Sequence, residues 1–412
     1  MLAGALLSGV AAYVWQAAGT RTLGNSAFAP VATMWTLNYL VMTVLLAPIE
    51  QYATRTMSSG QDGRDHLARN LRTLLAILLV ATLLLGIGCA LATARFFHGE
   101  IGYAFIGALL PACMGCLSLI RGTLSGERRF SSYGRLTGLD GVTRAVAGGV
   151  VLAAGGTALD LSWTIPLCGL TSLLWAGRIP RRLGDGPVRN EAHVPIRRFM
   201  LTMVGGTAAS QLLLAGGPLL LGVLGAPART VTILFVTQVA GRGLLLIALP
   251  LWSRALPGLT AIALRREHES LVQIAERILP ISLALAVLGG AFAATVGPPV
   301  LAALFGHASR PDAFVAGTVG AGTVLAVGNL GLNQLLVATG GTARITISWW
   351  TALCAGGLWI ALGPGSALHR VSAGFVVGEV VAVVLLTVAT STARAPRFVR
   401  RAVHRQRERR AR

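Results

Sequence analysis

The sequence predicts an all-α membrane protein of about 12 transmembrane helices in two six-helix lobes. Three observations carry this expectation. Hydrophobic residues make up 54% of the 412 positions and charged residues only 12%, against about a quarter charged in a soluble chain. Apolar stretches of about 18–25 residues recur along the whole chain; this is the length of helix that crosses a hydrocarbon layer about 30 Å thick, where the backbone can satisfy its hydrogen bonds only internally. The basic residues cluster between these stretches on alternate sides.

The spans follow in order. The first, 2–20, starts apolar with no basic segment ahead of it, so it reads as a retained helix rather than a cleaved signal, and Arg21 closes it. The second, 28–49, is closed by Glu50 and Arg55. The third, 71–94, follows Arg64, Arg69 and Arg72, and the fourth, 101–120, ends at Arg121. The fifth, 136–157, is rich in glycine, and the sixth, 161–177, is short and stops at Arg178. The seventh, 199–221, begins after Arg197 and Arg198; the eighth, 230–252, lies between Arg229 and Arg254. The ninth, 278–297, follows Arg277, and the tenth is 313–337. The eleventh, 345–362, follows Arg344, and the twelfth, 367–390, precedes the basic tail.

All 35 basic residues are arginine. The even-numbered loops and the tail hold 28 of them, whereas the odd loops hold five, Arg21, Arg95, Arg229, Arg310 and Arg370. Positive charge stays on the cytoplasmic side, so this asymmetry predicts a multi-pass protein of the cytoplasmic (inner) membrane with both termini in the cytoplasm. It also makes the net charge of +20 mostly a topology signal. Nucleic-acid binding is not expected, because the charge flanks spans instead of covering a folded face. The abundance of Arg over Lys and of Gly and Ala also suits a GC-rich genome.

The polar, Gly- and Pro-containing stretch 178–198 divides six spans from six. The expected organisation is an N-terminal lobe at 1–180, a cytoplasmic linker at 181–197, a C-terminal lobe at 198–393 and a basic cytoplasmic tail at 394–412. That tail either contacts anionic headgroups of the membrane lipids or simply fixes topology. A weak repeat supports the division: Phe97-His98-Gly99 precedes Ala104-Phe105 as Phe305-Gly306-His307 precedes Ala313-Phe314. Two halves of like orientation are what parallel repeats in a transporter produce. The 51 glycines suit close helix approach.

Catalytic and metal constellations are missing from the sequence, so no enzyme activity, cofactor or metal is expected. Without lysine a P-loop is excluded. Cys113 and Cys116 form a C-x-x-C inside a span, which reads as two small apolar residues at a helix contact rather than a redox or metal pair. His98, His307 and His369 lie in or beside odd loops without companions.

Charges inside hydrocarbon cost about 2.5–3.5 kcal/mol each near the middle of a helix, so each needs a reason. Arg242 and Glu379 lie near the middle of the eighth and twelfth spans, and Asp140 and Arg144 lie four apart on one face of the fifth. With Arg21 and Arg55 they are the candidate substrate-binding residues: a polar cavity whose guanidiniums face an anion. The alternatives are a self-neutralising Asp140–Arg144 pair, an inter-helix pairing of Arg242 with Glu379, and interfacial anchoring for Arg21, Glu50 and Arg55. Asn38, Gln51, Gln211, Gln238, Asn329, Asn333 and Gln334 add polar groups that also serve as helix–helix glue.

Thr20-Arg21-Thr22-Leu23-Gly24 and Glu50-Gln51-Tyr52-Ala53-Thr54-Arg55 resemble the opening of the polysaccharide and oligosaccharide flippases of the multidrug/oligosaccharidyl-lipid/polysaccharide (MOP) exporter superfamily. The run Arg121-Gly122-Thr123-Leu124-Ser125-Gly126-Glu127-Arg128-Arg129-Phe130 is similar to the family's R-G-x-x-x-G-x-x-R-F after the fourth helix. Leu304-Phe305-Gly306, Asp312-Ala313 and Leu335-Leu336-Val337-Ala338-Thr339-Gly340 resemble its ninth-to-tenth helix region. The resemblance implies a MATE/MOP-flippase-like fold, alternating access, and an anionic lipid-linked substrate, a sugar on a polyprenyl diphosphate. It also implies working partners among neighbouring glycan-assembly proteins. Lipid II flippases carry S-R-x-L-G in their first helix, so the resemblance gives Arg21 a diphosphate role. Two departures stand out: twelve spans rather than fourteen, and Gly216-Gly217-Pro218 where many relatives carry an acid. A cation-coupled drug antiporter of the same fold is the second expectation, and a membrane glycosyl- or acyltransferase the third, disfavoured by the short outer loops.

Overall fold

The computed structural model describes residues 2–58, 61–178, 196–264, 268–338 and 341–392. The central part of the expected linker, 181–195, and the tail, 394–412, lie outside the described residues.

Every regular element among the described residues is helical. Helix α1 (Leu2–Leu40) carries the first predicted span and the start of the second. No loop separates them. The chain is broken instead at Gly24, whose φ of 76° and ψ of 162° an L side chain adopts only with strain. A π-helical turn, Val41–Leu46, then leads into α2 (Ala47–Met57). Together Ala3–Met57 form a 55-residue stretch; unbroken it would be about 80 Å long, more than twice the hydrocarbon layer, so the Gly24 break makes two spans of it.

Helix α3 (Gln61–Leu91) starts earlier than predicted, because its polar first turns continue the helix beyond the apolar run. A short α4 (Thr93–Phe96) precedes α5 (Gly102–Gly126) and α6 (Phe130–Ala153). The sixth span is not a single α-helix. It begins as α7 (Ala158–Leu167), under a capping box between Thr157 and Asp160, and continues as a 3₁₀ segment, Cys168–Arg178. Pro166 withdraws one N–H from the ladder just before the change. The seventh span is likewise interrupted: α8 (Ile196–Ala215) stops at Gly216 and α9 (Gly217–Val223) follows. Longer than predicted are α10 (Ala228–Leu264) and α11 (His268–Phe305). The last three, α12 (Ala313–Ala338), α13 (Thr342–Leu362) and α14 (Ala367–Ser391), lie within a few residues of their predicted bounds. Eight of the described helical stretches are long and apolar enough to cross a membrane, nine if α8 and α9 make one broken span.

The chain forms two compact units. The first comprises Met1–Thr207, Pro218–Ile233 and Ala302–Ser309; the second comprises Ala208–Gly217, Leu234–Leu301 and Arg310–Arg412. Small residues set the helix contacts in both. In the first unit Gly141 packs on Ser8, and Gly148 on the Trp15 ring, where α6 meets α1. In the second, Gly356 and Gly374 place α13 against the α14 backbone, and Gly290 and Gly317 do the same for α11 and α12. Without a hydrophobic force between helices in lipid, such close approach is the main source of attraction. Leu83, Leu84 and Ile87 of α3, and Val287, Leu288 and Phe292 of α11, point outward exposed, as lipid-facing residues do.

The run that begins at Arg121 is a joint between α5 and α2. A Cβ on Gly122 would lie 2.5 Å from the Glu50 carbonyl oxygen and 2.7 Å from Ala53 Cβ. Thr54 Oγ1 donates to the Gly122 carbonyl at 3.2 Å, and Gly126 faces the Thr54 carbonyl. Gly122→Val is therefore expected to lower stability by about 1–3 kcal/mol through overpacking. Gly149→Ala, with open space around it, should leave the unfolding temperature unchanged or raise it. Thermal unfolding in detergent compares the two.

Candidate functional site

The candidate residues fall into separate groups. Asp140 and Arg144, one turn apart on α6, form a buried ion pair at 2.7 Å with relative exposures of 6% and 7%. Arg144 Nε also donates to Cys168 Sγ at 3.1 Å, and its guanidinium lies 5.1 Å from the centre of the Trp35 ring. Three elements, α6, the 3₁₀ segment and α1, thus converge on one cation. Asp140 Oδ1 has no partner among the described residues. The self-pairing expected as the alternative for these two residues is made.

A second network lies in the same unit. Tyr133 donates to Glu50 Oε1 at 2.8 Å, Arg121 donates to the Tyr133 hydroxyl at 2.6 Å, and Arg121 Nε is 3.5 Å from Glu50 Oε2. Glu127 pairs with Arg64 and, at 3.5 Å, with Arg129. Two of the motifs that carry the flippase resemblance, Glu50–Arg55 and the run from Arg121, therefore meet in space, through Glu50, Thr54, Arg121 and Gly122. Arg55, in the first motif, remains exposed.

Arg21 is exposed, three residues before the Gly24 break, and donates to the Ala303 carbonyl. Arg242 is half-buried on α10. Glu379 of α14 is 1% exposed, and its partner is Asn329 of α12, whose Nδ2 donates to Oε2 at 2.7 Å and to the Glu379 carbonyl at 3.1 Å. Next to it Trp349 donates to Asn333 Oδ1 at 3.2 Å. Of the predicted site residues, then, the structure joins Asp140 with Arg144 and gives Glu379 an amide. The sequence signal for Asn329 was its placement in a span; nothing in the sequence pointed to Cys168 or Trp35 as partners of Arg144.

Cys113 is buried and Cys116 half-buried, both as free thiols. Among the described residues no group of three His, Cys, Asp or Glu side chains is placed to hold a metal ion. Asp312 caps α12, accepting from the Val315 N–H at 2.8 Å, and pairs with His369 at 2.8 Å. Burial opposes its ionisation, but the His369 and backbone hydrogen bonds outweigh this and hold its carboxyl below the ordinary carboxylate value. A depressed folded-state value contributes stability above the unfolded value of about 3.9, and that contribution is lost as the pH falls through the folded one. Asp312→Asn should cost about 0.2–1 kcal/mol at pH 7, since the pair is half exposed. The difference in unfolding temperature should shrink as the pH falls through the folded-state value; one that persists below it would assign the effect to the cap alone.

No protein-family model and no curated relative matches the sequence. Solved structures do match. A multidrug resistance MATE family transporter of the MOP superfamily, in its inward-facing conformation, aligns at a TM-score of 0.70 over 93% of this chain and 93% of that one, with 15% identity. The fold is that of the MATE transporters. The eukaryotic MATE transporter AtDTX14 aligns at 0.65, covering 98% of this chain and 97% of its own, with 13% identity. The Vibrio cholerae MATE transporter VcmN aligns at 0.60 over 95% and 94%, with 14% identity. At these identities the similarity is one of fold.

Proposed function

We propose that the protein is a multi-pass transporter of the cytoplasmic membrane, with both termini in the cytoplasm, that moves a polyprenyl-diphosphate-linked oligosaccharide or related polysaccharide precursor by alternating access. The observation that carries the transport reading is the MATE fold, which extends over 93% of this chain and of a solved transporter. The substrate class rests on charge. The candidate positions Arg21, Arg55 and Arg242 are cationic, and guanidinium matches phosphate through its fixed fork of donors. The mid-span acid, Glu379, is enclosed against Asn329 and offers no open carboxylate to a cation. A diphosphate headgroup cannot cross hydrocarbon unaided, because its charges would lose their hydration.

The second reading is a cation-coupled multidrug antiporter. Its support is that the matched transporter is described as a multidrug resistance protein. Reconstitution in vesicles separates the two. With a fluorescent polyprenyl-diphosphate sugar in both leaflets, an impermeant quencher reaches only the outer leaflet in protein-free vesicles. The protein should extend quenching to the inner pool. Movement of a cationic dye without movement of the lipid would replace the flippase by the antiporter. Orientation is checked by impermeant thiol labelling in intact cells: Glu100→Cys and Pro364→Cys should react, and Asp65→Cys should not.

A further inference from the structure

Two arginines of the Arg-poor loops, Arg21 and Arg95, are exposed and have no carboxylate partner among the described residues. Each instead caps the carboxyl end of a helix distant in sequence. Arg21 donates to Ala303 in the last turn of α11. Arg95 donates through Nε to Gly222 at 3.0 Å, and through a terminal amino group to Val223, the last two residues of α9. The last carbonyls of a helix lack an internal donor and carry the negative end of its dipole, so a cation is favoured there.

Asn25 completes the set and is buried. Its Nδ2 donates to Ala308 O at 2.6 Å, its Oδ1 accepts from Ser309 Oγ at 2.7 Å, and its own carbonyl accepts from Thr232 Oγ1 at 2.7 Å. The Gly24 break makes this possible, because it interrupts α1 immediately before Asn25. The segments held in this way, Pro218–Ile233 and Ala302–Ser309, belong to the first unit, yet both run on into helices of the second. The bonds themselves are ones that water can replace: guanidinium to carbonyl, hydroxyl to amide. Parting them strands no ion pair among the described residues.

We infer that Arg21, Asn25 and Arg95 form a clasp that holds Pro218–Ile233 and Ala302–Ser309 shut against the α1 corner, and that release of this clasp is the opening step at the Arg-poor end. The inference rests on the proposed transport function for its place in a cycle. Its test needs no substrate. Spin labels at Glu100→Cys and Pro227→Cys, with the native cysteines replaced, report the separation across the clasp by pulsed electron resonance in liposomes. The parent should show mainly the short distance. Arg21→Gln combined with Arg95→Gln should raise the longer-distance population several-fold. Thr232→Val with Ser309→Ala should do the same if the arginine pair does not accumulate, since it removes two hydroxyl donors and no charge. An identical distribution in parent and folded variants would overturn the clasp. Opening in a protein that moves neither lipid-linked sugar nor dye in vesicles would support the clasp and count against the transport reading.

Discussion

Asp140→Ala is expected to destabilise the protein by about 3–5 kcal/mol, the scale for removing one partner of a buried ion pair. Arg144, 7% exposed, would keep only Cys168 and the Trp35 face. Neither neutralises its charge. Asp140→Asn should fall between, retaining a hydrogen-bond acceptor without the countercharge. The double change Asp140→Leu with Arg144→Met should recover much of the loss, because a well-packed apolar pair of similar size avoids desolvating two charges. Thermal unfolding in detergent measures all three, and an Asp140→Ala protein that melts with the parent would refute the account. The double variant also separates the two readings of this pair. If it folds and still transports, the pair is structural; if it folds and is inactive, Arg144 or Asp140 touches substrate.

Arg242→Ala should reduce transport about 100-fold or more while the protein accumulates and unfolds normally. Losing charge-assisted contacts to a phosphate costs about 3 kcal/mol, and each 1.4 kcal/mol is tenfold. The residue stands 14 positions into α10, about 21 Å along it, where a side chain reaches the interface with difficulty. Arg242→Lys should be partly active, since it keeps the charge and loses the fork. The vesicle assay with a fluorescent lipid-linked sugar reads both. Full transport by the alanine variant would remove Arg242 from the site. An alanine variant that fails to accumulate in the membrane would make its role structural.

Much of the architecture was legible because the bilayer imposes it. Span length follows from hydrocarbon thickness, so 313–337 and 367–390 agree with α12 and α14 within a residue or two. Helix ends in water are less constrained: polar first turns start α3 and α11 ahead of the predicted spans, and α10 runs on past Arg254. It also placed a loop after the first span where a single glycine breaks a continuous helix, because hydropathy senses the polar residues at 20–25 and not the φ angle of Gly24.

The composition, the run lengths and the arginine pattern by themselves determined that this is a helical membrane protein, since those properties depend on each residue's transfer energy and not on its neighbours in space. The pairing of side chains was decided only by tertiary structure. Asp140 with Arg144 was readable, because four residues is one helical turn. Glu379 with Asn329, Arg144 with Cys168, and Glu50 with Arg121 and Tyr133 join residues 24 to 83 positions apart. No local period encodes such contacts. They arise where glycines such as Gly122 let two backbones approach closely enough for short polar side chains to meet.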